Sequence, residues 1–321
     1  MATASSPLAQ ALFVRGLRKR YGEVVAVDGL DLEVFPGECF GLLGPNGAGK
    51  TTTIEICEGL TTPDDGAVVV LGRTWAEGGV ALRERLGIQL QETQLSDKLT
   101  VLETLQLFRS FYARGRPVET VIELVTLQEK RHARVSALSG GQKQRLALGC
   151  ALVGDPELVF LDEPTTGLDP QARRQVWELV EQRKSTGRTI VLTTHYMEEA
   201  ERLCDRVAIV DHGRVMALDT PRRLIGGLGA DQIVFFSVAD HASGRLSPDV
   251  LGAIGRAARS THPPRPTDGG WELAVAATHE AIPALLAELE RYELPLAELR
   301  THLPTLEDVF VSLTGRALRD G

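Results

Sequence analysis

The run Gly44-Pro45-Asn46-Gly47-Ala48-Gly49-Lys50-Thr51 satisfies G-x-x-x-x-G-K-[ST] at every position and constrains this chain more than any other feature. Its glycines let backbone N–H groups close around phosphate oxygens. A helix beginning at its end adds the positive pole of its dipole. Lys50 is placed to reach the β and γ phosphates as a point charge, and Thr51 offers a hydroxyl to Mg²⁺. Thr52 follows in the same first turn. The flanks agree with this reading: Cys39 to Leu43 is a short apolar run, expected to be a buried strand, and a helix is expected from Lys50 to about Leu60. The bland alternative, a glycine-rich strand–helix turn with an exposed lysine, does not require the full motif in that context.

A second constellation lies downstream. Leu158 to Leu161 reads as a buried strand ending in Asp162-Glu163-Pro164. Acids at the carboxyl end of a strand sit where open α/β sheets bind ligands. Asp162 is expected to hold Mg²⁺ through water, and Glu163 to accept a proton from an attacking water, a role worth roughly 10²–10⁴-fold.

The rest of the chain supplies a setting for these motifs. Residues 12–34 alternate apolar and polar positions and predict short antiparallel strands, and Val68 to Leu71 predicts another. Leu99 to Gly154 is helical in pattern, with Thr100 as an N-cap, a second helix from Pro117 and a third from Gly140 to Leu152. Strands return at Leu158–Leu161, Thr189–Thr193 and Val207–Val210, with a helix from Gln171 to about Ser185. Strands alternating with helices predict a parallel sheet covered on both faces. A glycine-containing stretch from Pro221 to Gly229 marks a boundary. Beyond it, strands at Ile233–Val238 and Trp271–Val275 alternate with helices near Pro248–Ala258 and His279–Tyr292. A last helix is expected after Pro304, with Thr305 and Asp308 at capping-box spacing and Leu306, Val309, Phe310 and Leu313 as one apolar stripe. The expected domains are therefore 12–225 and 230–321.

Composition narrows the class. With 43% hydrophobic and 24% charged residues in 321, the chain is expected to be globular. A net charge of −8 argues against nucleic-acid binding. Cys39, Cys57, Cys150 and Cys204 form no C-x-x-C pair and read as reduced, mostly buried thiols of a cytoplasmic protein. No apolar run reaches the ~20 residues of a membrane span, and Met1 to Leu12 lacks the pattern of a signal peptide. His241, His262, His279 and His302 lack metal-ligand spacing and read as surface residues.

Leu138-Ser139-Gly140-Gly141-Gln142 opens a helix with a hydroxyl and free N–H groups, a second anion site by itself or an ordinary capped helix start. One triphosphate does not need two such sites from one chain, whereas two chains packed head to tail would use both. With this signature, the chain resembles the ATPase subunit of an ATP-binding-cassette (ABC) transporter, in the multidrug and antibiotic exporter branch that works beside a separate membrane permease. The resemblance covers about residues 12–225, and Thr305-Leu306-Glu307-Asp308-Val309-Phe310 resembles that branch's C-terminal extension.

The resemblance implies an α/β P-loop NTPase (RecA-like) cassette with an antiparallel β subdomain, a helical subdomain and a small C-terminal α+β domain. It implies that Tyr21 stacks on adenine, and that Gln91 contacts metal or water and relays to the permease, with Gln89 as competitor. Asp169 is implied to communicate across the dimer, or else to cap a helix. His195 is implied to sense the γ phosphate. ATP would then lie between the Gly44–Thr52 loop of one copy and the Ser139–Gln142 signature of the other. The expected product is an ATP-hydrolysing subunit, peripheral on the inner face of the cell membrane through its permease. A soluble ABC ATPase acting on a non-membrane complex is the alternative. A single loop and a single signature count against it, because known translation-factor members resemble two cassettes in one chain.

Overall fold

A computed structural model describes residues 10–91, 94–239, 244–267 and 269–315. The chain divides between Pro221 and Arg222 into two compact units.

The first unit begins with β1 (Leu12–Tyr21) and β2 (Val24–Val34), an antiparallel hairpin, and continues through β3 (Cys39–Leu43), α1 (Lys50–Cys57) and β4 (Asp65–Val70). Then come α2 (Trp75–Arg83), β5 (Leu86–Gln89), α3 (Val101–Ser110), α4 (Val118–Leu124) and α5 (Gly140–Leu152). The unit closes with β6 (Leu158–Asp162), α6 (Pro170–Ser185), β7 (Thr189–Thr194), α7 (Met197–Leu203), β8 (Arg206–Asp211) and β9 (Arg214–Asp219). Two sheets result: an antiparallel one in the order β2-β1-β4, and a six-stranded one in the order β5-β6-β7-β3-β8-β9. The second is parallel except for β9, which pairs antiparallel with β8. Strands β3, β6 and β7 are buried at every position, as central strands covered on both faces must be. Leu12, Leu17 and Leu30 of the small sheet join Phe40, Leu42 and Phe160 of the large one in a single apolar core.

Local rules explain the helix ends. The Thr100 hydroxyl accepts from Glu103 N–H, and the Glu103 carboxylate accepts from Thr100 N–H. Helix α1 stops at Cys57, short of Leu60, because Gly59 turns the chain at φ 73°. The sequence left α2, β5, α7 and β9 unassigned. Three of these four are short or broken: β5 has four residues, α7 has seven, and α2 is kinked at Gly79.

The second unit runs α8 (Pro221–Gly226), β10 (Gln232–Val238), α9 (Pro248–Ala257), β11 (Arg265–Thr267), β12 (Gly270–Val275), α10 (Thr278–Arg291), β13 (Leu296–His302) and α11 (Leu306–Thr314). Its first helix begins at the division itself, inside the stretch expected to be only a boundary. From β10 to β13 the order is β-α-β-β-α-β, and the sheet order β11-β12-β10-β13 with antiparallel neighbours is that of a ferredoxin-like split βαβ. Val234, Phe236 and Val238 share a core with Ile254, Leu285 and Leu289, so α9 and α10 cover one face. Asp308 caps α11 by accepting from Thr305 N–H and Oγ1–H, each at 2.9 Å. Leu306, Val309 and Phe310 are buried as expected, but Leu313 is exposed and Val311 takes its place among the buried residues. His262, His279 and His302 are exposed, and His241 lies outside the described residues.

Candidate functional site

The loop between β3 and α1 has the close backbone approaches its glycines suggest. A Cβ on Gly44 would stand 2.2 Å from the Val210 carbonyl oxygen. Gly49 sits at φ 98°, where a Cβ would lie 2.2 Å from the Ala26 carbonyl. Asn46 and Gly47 are exposed at the crest, Pro45 is half-buried, and Ala48 is buried beneath. Lys50 is 4% exposed, and its Nζ donates to the carbonyls of Gly44 at 2.8 Å and Pro45 at 3.0 Å. It stands 3.5 Å from Glu163 Oε1. Burial pulls the Lys50 ammonium below its ordinary range, against the opposing charges of Glu163 and Asp162. Thr51 and Thr52 are half-buried in the first turn of α1.

The carboxylates meet this loop from the end of β6, which β7 separates from β3 in the sheet. Asp162 ends β6 opposite Thr193 on β7. The Thr193 hydroxyl donates to Asp162 Oδ1 and accepts from Glu163 N–H at 2.9 Å, so one side chain fixes both acids. Thr51 Oγ1 lies 3.4 Å from the same Asp162 oxygen. Burial raises Asp162, although the hydroxyls of Thr193 and Thr51 work against that rise. Glu163 occupies a left-handed conformation at φ 45°, unusual for a side-chain-bearing residue and typical of sites where geometry is imposed. His195 Nδ1 stands 3.2 Å from Glu163 Oε2, off the line of a hydrogen bond, and the Thr166 hydroxyl donates to that oxygen at 3.0 Å. Burial would lift the Glu163 carboxyl, but His195, the Lys50 charge and Thr166 outweigh it and hold it at about 2.

Lys50, Thr51, Asp162, Glu163 and His195 therefore converge as the motifs suggested. Two hard oxygens, the Thr51 hydroxyl and the Asp162 carboxylate, stand near enough to share a magnesium ion. Among the described residues no group of three His, Cys, Asp or Glu could hold a metal, so such an ion would take its remaining ligands from nucleotide and water.

Among the described residues, the other expected ones form no hydrogen bond or ion pair with this cluster. Tyr21 is 50% exposed at the end of β1. Gln91 is exposed beyond β5, whereas Gln89 is buried with both amide atoms unpaired. Asp169 caps α6, accepting from the N–H groups of Gln171 and Ala172 at 2.9 Å each. Ser139 caps α5 by accepting from Gln142 N–H at 3.3 Å, which leaves its hydroxyl proton for another acceptor, and Gln142 returns the bond to Ser139 N–H. A Cβ on Gly141 would meet Ala172 at 2.7 Å, whereas one on Gly140 would meet nothing within 4 Å. Two residues went unread in the sequence. Thr193 could have been found as the strand-end hydroxyl two places before His195. Glu58, 2% exposed with both oxygens unpaired, carried no signal at all.

A phosphate loop between strand and helix, with acids at the end of a strand one place removed in the same sheet, defines a nucleoside-triphosphate hydrolase of the P-loop class. The chain belongs to the ABC transporter family as an ATP-binding subunit, and it is an ATPase. The family model described as ABC transporter matches residues 27–166. The chain is 40% identical to the Nod factor export ATP-binding protein I of Ralstonia nicotianae, over 96% of this chain and 95% of that protein. It is 39% identical to the linearmycin resistance ATP-binding protein LnrL of Bacillus subtilis, over 96% of this chain and all of that protein (100%). Among solved structures, an ATP-binding subunit of an ABC transporter superposes with a TM-score of 0.62 at 31% identity, over 68% of this chain and 93% of that one. A dimeric bacterial ABC transporter cassette superposes at 0.59 with 26% identity, over 65% and 98%.

Proposed function

We propose that two copies of this chain close head to tail around two Mg-ATP and so drive a separate membrane permease that exports a drug, antibiotic or lipid-like molecule. Residues 12–225 act as the nucleotide-binding domain and 230–321 as an accessory domain. In each site Lys50 and the Gly44–Thr52 loop hold the phosphates, and Tyr21 stacks on the base. Thr51 directly, Asp162 through water, and Gln91 hold the magnesium ion, which neutralises charge on the phosphates. Glu163 accepts the proton of the attacking water, and His195 orients the γ phosphate. Ser139, Gly140, Gly141 and Gln142 of the partner copy close over that phosphate, and Asp169 bridges the copies.

The observation that carries the shared site is Gly140. Its φ is not positive and a Cβ there touches nothing within 4 Å, so nothing within the chain calls for glycine. Glycine there leaves room for the close approach that a partner copy makes in this arrangement. The export reading rests on the two named relatives. Leu107 and Phe111, 45% and 65% exposed on α3 and at its end, offer apolar surface to a permease. No helix among the described residues is long and apolar enough to cross a membrane; in this reading the permease spans the bilayer and the chain sits against its cytoplasmic side.

The test follows self-association of Glu163→Gln on dilution. Mg-ATP should tighten it by orders of magnitude, and adding Gly140→Ala or Ser139→Arg should remove that gain while ATP still binds. An ATP effect that survives both changes would sink the shared site.

A further inference from the structure

The sheet of the second unit ends on β13, which pairs with β10 on one side only. No described strand covers its other side, and its burial pattern is exposed at every position but Leu299. Natural edge strands are guarded by charged side chains, lysine above all, by prolines or by covering elements, because an open ladder invites another strand. β13 contains neither proline nor lysine.

It carries instead a charge pattern that complements itself. Glu298, Arg300 and His302 lie on one face, and Leu299 turns to the other, against the helical core. Laid antiparallel on a second copy about a two-fold at Leu299, the strand places Glu298 opposite Arg300 and Arg300 opposite Glu298. Ala297 then meets Thr301, and Leu296 meets His302. A two-fold at Arg300 would oppose two arginines, and one at Glu298 two glutamates, so the charges select one register. The register irregularity against β10 lies on the Leu296 side of Glu298, outside the charged pair. Arg300 is already oriented by the Phe235 ring, 4.5 Å away, and by Glu298 at 2.8 Å.

We propose that two copies of this chain join through β13, antiparallel, fusing two four-stranded sheets into one. The interface is isologous, as two-fold symmetry requires. Backbone hydrogen bonds supply the attraction and the charges set the register. No nucleotide takes part. The contact therefore stands or falls apart from the ATP sandwich, and it would keep two cassettes at high effective concentration after the sandwich opens.

Light scattering on the full chain without nucleotide, over a dilution series, is the test. The wild type is expected to dimerise. Glu298→Arg sets like charges opposite each other twice and is expected to weaken the dimer by about tenfold or more. Glu298→Arg combined with Arg300→Glu reverses both charges and should restore it. A monomer at every concentration, or a dimer whose strength neither variant alters, overturns the proposal. Mg-ATP-dependent association of Glu163→Gln should persist with Glu298→Arg, which separates this contact from the sandwich.

Discussion

Glu163 shows how a single residue is set for its task. As the chain stands, Lys50 and His195 hold it as a carboxylate near 2, a weak base. A triphosphate competes for the Lys50 ammonium, and losing that counter-charge raises the basicity of Glu163 where it is needed. Glu163→Gln keeps the shape and removes the base. Its turnover is expected to fall by roughly 10²–10⁴-fold with ATP affinity retained, read by steady-state hydrolysis beside equilibrium binding. Wild-type turnover would remove Glu163 from that role. Glu58 is the opposite case. Burial, with Asp162 and Glu55 adding to it, keeps its proton on to about 9, against 4.5 for a free side chain. Above pH ~4.5 the unfolded chain releases a proton that the folded chain retains, so stability falls as pH rises towards about 9. Glu58→Gln removes that slope, worth a few kcal/mol in order of magnitude by the high end of the window. Urea midpoints of the two proteins should diverge across this range, and parallel curves would contradict the assignment.

At the scale of elements, Asp155 joins pieces that are distant in sequence. It follows α5 and accepts from Arg116 Nε at 3.0 Å and Arg188 Nη2 at 2.9 Å, with Arg183 Nη2 3.6 Å away. These arginines come from the linker after α3, the residue just before β7 and the end of α6. Arg183 is 3% exposed, and burial pushes it down to about 10. Asp155→Asn tolerates the left-handed backbone at φ 53° but removes the shared charge. Because Asp155 is itself partly exposed, the expected loss is about 2–3 kcal/mol, below that of a fully buried pair. Denaturant unfolding reads it, and no change would show that solvent already screens the cluster. The same scale separates what was legible in the sequence from what was not. β3, α5 and the ends of β6 and β7 were readable because apolar runs stop at motif residues. β13 was not, since with both faces mostly exposed its apolar and polar residues do not alternate strictly. The Asp162–Thr193 contact was hidden because it depends on which strands lie side by side, and a sequence alone does not order a parallel sheet.

Over the whole molecule, the two units differ in what nucleotide can do to them. The loop, the acids and His195 all fall in the first unit, whose core runs from Leu12 to Val210. The second unit has its own core, built on Phe236 and Leu285. A ligand stabilises what it binds by RT ln(1 + [L]/Kd), about 2.7 kcal/mol at a hundredfold excess over Kd. For a unit of this size that corresponds to a rise of very roughly 5–10 °C. Calorimetry of Glu163→Gln, which avoids turnover during the scan, should show the transition of the first unit move up with Mg-ATP while that of the second stays in place. A common shift of all the heat absorbed would mean that the units unfold as one cooperative body. The second unit would then report nucleotide state directly, rather than through any pairing of copies.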